Sequence, residues 1–222
     1  MWAIDPRRTA SAKFADAWLG LNVGTDIALA NGVAREIIHA GLVNDEFVEH
    51  ATEGFEAFAA FVEPWTLDYT AEITGVPAEG IADLAHGYAQ AATAQLMWTL
   101  GITEHHTGVD NVLALSNLSL LTGHVGRWGS GLVPLRGQNN VQGGGDMGAL
   151  PNKLPGFQDV NDDALDAELK FLSDSFSWNL SVFSSMIAPA IPPMKSWPSV
   201  PKRLLIRIKL SMPGHLFPFQ SP

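Results

Sequence analysis

A chain of 222 residues with 46% hydrophobic content and no cysteine is long enough to bury one sizeable core. Lacking cysteine, it has no thiolate for a disulfide scaffold, an iron–sulfur site or a cysteine nucleophile. A formal net charge of -10 argues against nucleic acid and anionic membrane surfaces as partners, since neither would be neutralised. No 18-residue apolar run and no signal-peptide pattern occurs.

In chain order, MWAID reads as the end of a buried strand that stops at Asp5-Pro6, because proline cannot continue a central ladder. A short helical pattern follows Thr9 to about Ala17, and WLGLNVG is a second extended piece ending on Gly24. Thr25 and Asp26 stand where an N-cap belongs, ahead of a helix whose apolar face is Ile27, Ala30, Ala34, Ile37 and Ile38 and whose C′ residue is Gly41. Helices are expected at 45–51, 54–62 and 66–73, then from Pro77 at N1 to about Ala92. QLMWTLG, 95–101, has the pattern of a buried parallel strand covered on both faces, and 109–123 is a helix closed by Gly123. Strands alternating with helices predict an α/β layered domain.

Composition breaks near residue 160. Residues 1–160 hold 20 of the 21 glycines with 18 acidic against 7 basic residues, whereas 161–222 hold 8 of the 14 prolines and 6 basic against 5 acidic residues. Two such compositions predict a domain over 1–160 and a divergent tail over 161–222.

In open α/β sheets, ligands collect outside the carboxyl ends of strands. Three loops qualify: DPRRT at 5–9, NVGTD at 22–26 and GITEHHTG at 101–108. Carboxylates there can pair with guanine N–H groups or ribose hydroxyls, Arg7 or Arg8 can take a phosphate, and Thr25 can face one from a helix N-terminus. Singly, Asp26 is a helix cap and the arginines are solvated; together the loops point to a nucleotide site. Glu104, His105 and His106 are adjacent with no HExxH or matching distant cluster, so no metal site is expected on them. His39, His50 and His86 lie within helical patterns, as boundary residues.

The stretch 135–156, LRGQNNVQGGGDMGALPNKLPG, has neither helical nor strand period. Arg136 is the one cationic side chain between Arg127 and Lys153, set among Gln138, Asn139, Asn140 and Gln142. One guanidinium with several amides suits a small planar anion such as a carboxylate, and GGGD at 143–146 allows backbone to approach a ligand closely.

The combination DPRRT, GTD, GFEAF, EITGVPAE, DNVLAL, LLTG, PLRGQNNVQG and DMGALPN resembles the catalytic (alpha) subunit of molybdenum or tungsten formate dehydrogenases, within the bis-molybdopterin guanine dinucleotide oxidoreductases. The resemblance covers about residues 2–160. It implies Rossmann-like nucleotide-binding layers that hold one pterin guanine dinucleotide. Asp5 and Asp26 would stand near its guanine and ribose, with Gly24, Thr25 and Gly101 along its phosphates. Arg7, Thr103, His105, Gly137 and Asn139 complete the expected cofactor-binding set. Arg136 matches the arginine that orients substrate, and Gln138 a nearby amide. Formate and CO2, the remainder of the catalytic subunit, and iron–sulfur, NAD- or ferredoxin-linked electron-transfer subunits are the implied partners, in the cytoplasm.

The family's metal-ligating Cys or selenocysteine and its iron–sulfur cysteines are expected upstream of DPRRT, so the chain is expected to be a fragment, inactive alone. Past PGFQ the likeness fades, as an out-of-frame tail would make it. Two other readings stand beside the first: a non-catalytic molybdopterin-fold subunit like the large subunit of respiratory complex I, and a free-standing nucleotide-binding module.

Overall fold

The computed structural model describes residues 1–154, 158–159 and 207–208. The composition break at 160 and the expected out-of-frame tail lie outside these residues, apart from the pair at 207–208. Two units part between Leu135 and Arg136.

The first unit opens with β1 (Trp2–Ile4), α1 (Ala10–Phe14) and β2 (Ala17–Leu19). β1 and β2 are parallel, in the register Trp2↔Ala17 to Ile4↔Leu19, so α1 is the crossover of a small βαβ unit. The helix α2 (Asp26–His39) follows, with Thr25 as N-cap residue and Gly41 left-handed at φ 67° just past its end. Next come α3 (Asp45–Ala51), β3 (Thr52–Glu53), α4 (Phe55–Val62), α5 (Leu67–Thr74) and α6 (Ala78–Ala89). β4 (Gln95–Trp98) leads through α7 (Leu100–Thr103) and α8 (Gly108–Thr122) to β5 (Gly131–Pro134), again a parallel pair, from Gln95↔Gly131 to Trp98↔Pro134.

The core is helical. α2 is buried almost without a break from Ala28 to Ala34 because α4, α5, α6 and α8 all pack on it. Its small residues allow that approach, and Ile37, Ile81, Ala85 and Leu121 fill the centre with no exposed surface.

Four expectations are corrected. β1 is not a buried strand: Trp2 and Ile4 are 38% and 44% exposed, and the Trp2 ring covers Gly87 of α6, where an added Cβ would lie 2.2 Å from it. β4 is parallel as expected but is not covered on both faces, since Met97 is 55% exposed while Trp98 is buried. Pro77 is the N-cap residue of α6, with φ -56° and extended ψ 139°, rather than its first helical residue. The stretch 135–156 is not irregular throughout. It contains α9 (Val141–Asp146).

That helix belongs to the second unit, with β6 (Lys153–Leu154) and β7 (Gln158–Asp159), an antiparallel pair joined by Lys153 Nζ to Asp159 Oδ2 at 3.1 Å. Asn140 precedes α9 in the left-handed region at φ 51°. In the first unit β8 (Arg207–Ile208) pairs antiparallel with β3. Among the described residues each sheet has two strands, and no helix is long and apolar enough to cross a membrane.

Candidate functional site

The loops that leave β1 and β2 meet α7 at a cleft of about 220 Å³. Six of the residues singled out from the sequence line it: Asp5, Arg7, Gly24, Asp26, Gly101 and His105. Asn22, not singled out, lines it as well. Thr25 and Thr103 are not on its wall.

Asp5 follows the last residue of β1, and its N–H continues the ladder to Leu19 O at 3.3 Å. Its Oδ1 accepts the Arg7 N–H at 2.7 Å, a local turn that holds the carboxylate in place. Arg7 and Arg8 then part company. Arg7 is on the cleft, whereas the Arg8 guanidinium lies over the Trp18 ring at 5.9 Å from its centroid. Trp18 is itself fixed, since its Nε1–H donates to Asp5 O at 2.9 Å.

In the second loop the Thr25 hydroxyl donates to Asn22 O at 2.7 Å. It is turned back into the loop, and α2 begins without a side-chain cap. Asp26 is the first helical residue, so it adds an acid to the first turn and does not cap it. The leading N–H groups of α2 therefore remain open to an occupant. Gly24, at φ 85°, has open space where a Cβ would stand, as does Gly101. A left-handed turn at Gly24 admits no ordinary side chain without strain.

His105 closes α7, its Nε2–H donating to Gly101 O at 2.9 Å, which leaves Nδ1 as an acceptor. Thr103 turns its carbonyl towards Gly108, where an added Cβ would lie 2.2 Å from that oxygen. The chemistry of the cleft is thus two carboxylates and an imidazole nitrogen as acceptors, with one guanidinium and an uncapped helix start as donors. Such a set accepts amines and hydroxyls on one side and anionic oxygens on the other. Ligand pockets run to roughly 300–1,000 Å³, so this cleft is too small to enclose a whole nucleotide.

Arg136, Gly137, Gln138 and Asn139 stand in the second unit, consecutive and exposed ahead of α9. Gly143, Gly144 and Gly145 after them are helical, and at Gly143 an added Cβ would lie 2.5 Å from the Asn140 side chain. There the missing side chain makes room for an asparagine within the unit.

Three other histidines hold structure. His39 Nε2 bonds to Glu63 Oε2 at 2.7 Å and His86 Nε2 to Glu36 Oε1 at 2.9 Å, while His50 Nδ1 donates to Glu46 O at 2.9 Å. The His39 bond is the main cause that holds the Glu63 carboxyl below its usual range. Among the described residues no group of three His, Cys, Asp or Glu side chains has the geometry of a metal site. With no thiolate in the chain, these residues fit the nucleotide part of a cofactor and not its metal.

Comparison with known proteins identifies the family. The family model described as Molybdopterin oxidoreductase matches residues 1–202. The alpha subunit of formate dehydrogenase 2 of Methanococcus maripaludis is 49% identical over 160 residues, 72% of this chain and 24% of the relative. Formate dehydrogenase H of Escherichia coli is 44% identical over 160 residues, 72% of this chain and 22% of the relative. Among solved structures, acetylene hydratase from Pelobacter acetylenicus superposes with a TM-score of 0.56 at 34% identity, covering 58% of this chain and 18% of the other. The chain spans under a quarter of the length of these curated relatives. With the family model covering most of its length, the chain belongs to the molybdopterin oxidoreductase family, whose cofactor is a molybdopterin carrying molybdenum or tungsten.

Proposed function

We propose that the chain is the part of a formate dehydrogenase catalytic subunit that holds one pterin guanine dinucleotide and supplies the substrate arginine. The observation that carries the first half is the cleft, where Asp5, Arg7, Gly24, Asp26, Gly101 and His105 converge from three loops far apart in sequence. Its strand pairs would belong to Rossmann-like layers of the complete domain.

In this reading Asp5 and Asp26 accept from the guanine edge and the ribose hydroxyls. Arg7 and the uncapped start of α2 favour the phosphates. Thr25 holds the loop through Asn22, Thr103 packs behind the cleft against Gly108, and His105 lines it beside Gly101. Arg136 forks onto the two oxygens of formate and thereby fixes the direction of its C–H bond, while Gln138 adds an amide beside it. Gly137 and Asn139 let the backbone run close to the cofactor. When bound, the molybdopterin centre supplies the acceptor for the two electrons that leave formate as it becomes CO2 and a proton. An iron–sulfur cluster and further electron-transfer subunits would carry those electrons on, in the cytoplasm.

Family membership alone does not fix the reaction, since a relative of solved structure bears the name acetylene hydratase. Formate is favoured by the LRGQNNVQG stretch and by the identity to formate dehydrogenase subunits. The test is a hybrid in which residues 1–160 replace the matching 160 residues of the Escherichia coli enzyme. Formate-dependent dye reduction is expected, and Arg136→Ala should abolish it with the cofactor still bound. A hybrid that loads cofactor and leaves formate untouched would sink the proposal.

A further inference from the structure

We propose that Asn22 is the positioning residue of the cleft, holding the loop that carries Gly24 and the start of α2 against the C-terminal end of α5. The inference rests on the reading of the cleft as a nucleotide site and names a residue that the sequence pattern did not single out.

The last carbonyls of any helix lack partners within it. Ile73 and Thr74 end α5. Asn22 satisfies both, its backbone N–H donating to Thr74 O at 2.7 Å and its Nδ2–H to Ile73 O at 3.0 Å. Because the acceptor is a carbonyl, the amide orientation is fixed with nitrogen towards α5. Room for it comes from Gly75, left-handed at φ 73°, where an added Cβ would stand 3.2 Å from Asn22 Nδ2.

On its other side Asn22 closes the loop. Its carbonyl accepts the Thr25 hydroxyl at 2.7 Å and the Thr25 N–H at 3.3 Å. That bond keeps the Thr25 hydroxyl away from the first-turn N–H groups of α2, which begins without a side-chain cap. One residue thus anchors the loop to α5 through its backbone N–H and its side-chain amide, while its backbone carbonyl holds Thr25 and keeps the helix start open to the cleft.

The experiment is calorimetric titration of the 222-residue chain with GDP, for wild type, Asn22→Ala and Asn22→Asp. Losing a hydrogen bond of this kind weakens binding roughly 3- to 10-fold, and Asn22→Ala should show that loss at every pH. Asn22→Asp puts a negative oxygen against the carbonyl end of α5 and should bind more weakly still at pH 8. As the pH falls towards about 4, into the ordinary carboxyl range, the introduced carboxyl begins to protonate and to regain a donor, so its affinity relative to wild type should climb. A merely structural role would not produce that pH profile. Amide exchange at residues 23–28 should quicken in both variants, with α8 unchanged. Should the aspartate prevent folding, Asn22→Ser keeps a shorter donor and should fall between alanine and wild type.

Wild-type binding of GDP with equal affinity in the variants overturns the role of Asn22 and leaves the cleft reading intact. Failure of the wild-type chain to bind GDP overturns the cleft reading, and the role of Asn22 with it.

Discussion

His124 is 1% exposed, and both its ring nitrogens are used: Nε2–H donates to Tyr88 O at 2.9 Å and Nδ1 accepts from the Arg127 guanidinium at 2.9 Å. Only the neutral ring satisfies both partners, because a proton on Nδ1 would face a cation. Burial pushes its pKa below the ordinary 6.5; the Tyr88 carbonyl opposes that shift and Arg127 adds to it. The unfolded chain therefore binds the proton more readily than the folded one. The resulting stability is fully present above pH 6.5 and is lost as the pH falls through the lowered pKa. Urea unfolding between pH 8 and 5 should show the decline, and His124→Gln should flatten that part of the curve. At the other end of the scale, burial raises the Tyr88 pKa above 10.0, so its stabilising share is lost as the pH rises past that value. The two arginines give a second residue-level expectation. Arg7→Ala should weaken GDP binding roughly 3- to 10-fold by removing a charge-assisted contact, whereas Arg8→Ala, which loses the Trp18 ring, should change it less than twofold by the same measure. Equal losses would place both arginines on the ligand.

Among the elements, α2 carries the greatest packing constraint. At Gly32 an added Cβ would lie 2.4 Å from Thr70 Oγ1 and 2.9 Å from its Cβ, and Thr70 of α5 has no exposed surface. Alanine would help an isolated helix by about 1 kcal/mol. Overpacking against a buried β-branched residue costs about 1–3 kcal/mol. Gly32→Ala should lower the urea midpoint, and a rise would mean that α5 shifts freely. The helices α2 to α6 and α8 were legible in the sequence because their caps and apolar spacing agree, as with Asn44 Oδ1 accepting from Phe47 N at 3.0 Å and Gly123 closing α8 at φ 65°. β5 and α9 were not, since GLVP and VQGGGD carry glycine and proline where local propensity argues against both elements. The loops at 5–9 and 22–26 were legible for the same reason as the helices, since each follows a strand and opens a helix, whereas 101–108 starts within α7 and not at a strand end. Asn22 was not, because its side-chain acceptor is 51 residues away and no local pattern records a contact set by tertiary packing.

At the scale of the whole molecule, the proposed reading divides two binding tasks between two units, and the chain supplies no thiolate to either. The first unit gathers acceptors and donors suited to a nucleotide; the second presents Arg136 and Gln138 on exposed chain. Recognition of a cofactor's nucleotide and of a small carboxylate are binding tasks, and binding alone moves no electrons. In that reading electron removal from formate needs the metal, and a metal coordinated by a thiolate needs a cysteine or selenocysteine that these 222 residues do not contain. Nor can the chain hold an iron–sulfur cluster through cysteine thiolates, so no such relay can pass charge to an outside acceptor. The 222-residue chain supplied with molybdopterin guanine dinucleotide should therefore bind its nucleotide end, in competition with GDP, and reduce no dye when formate is added. Competition without turnover separates the two tasks. Dye reduction by this chain alone would show that metal ligation here proceeds without a thiolate from the protein, and would overturn the assignment of chemistry to residues outside it.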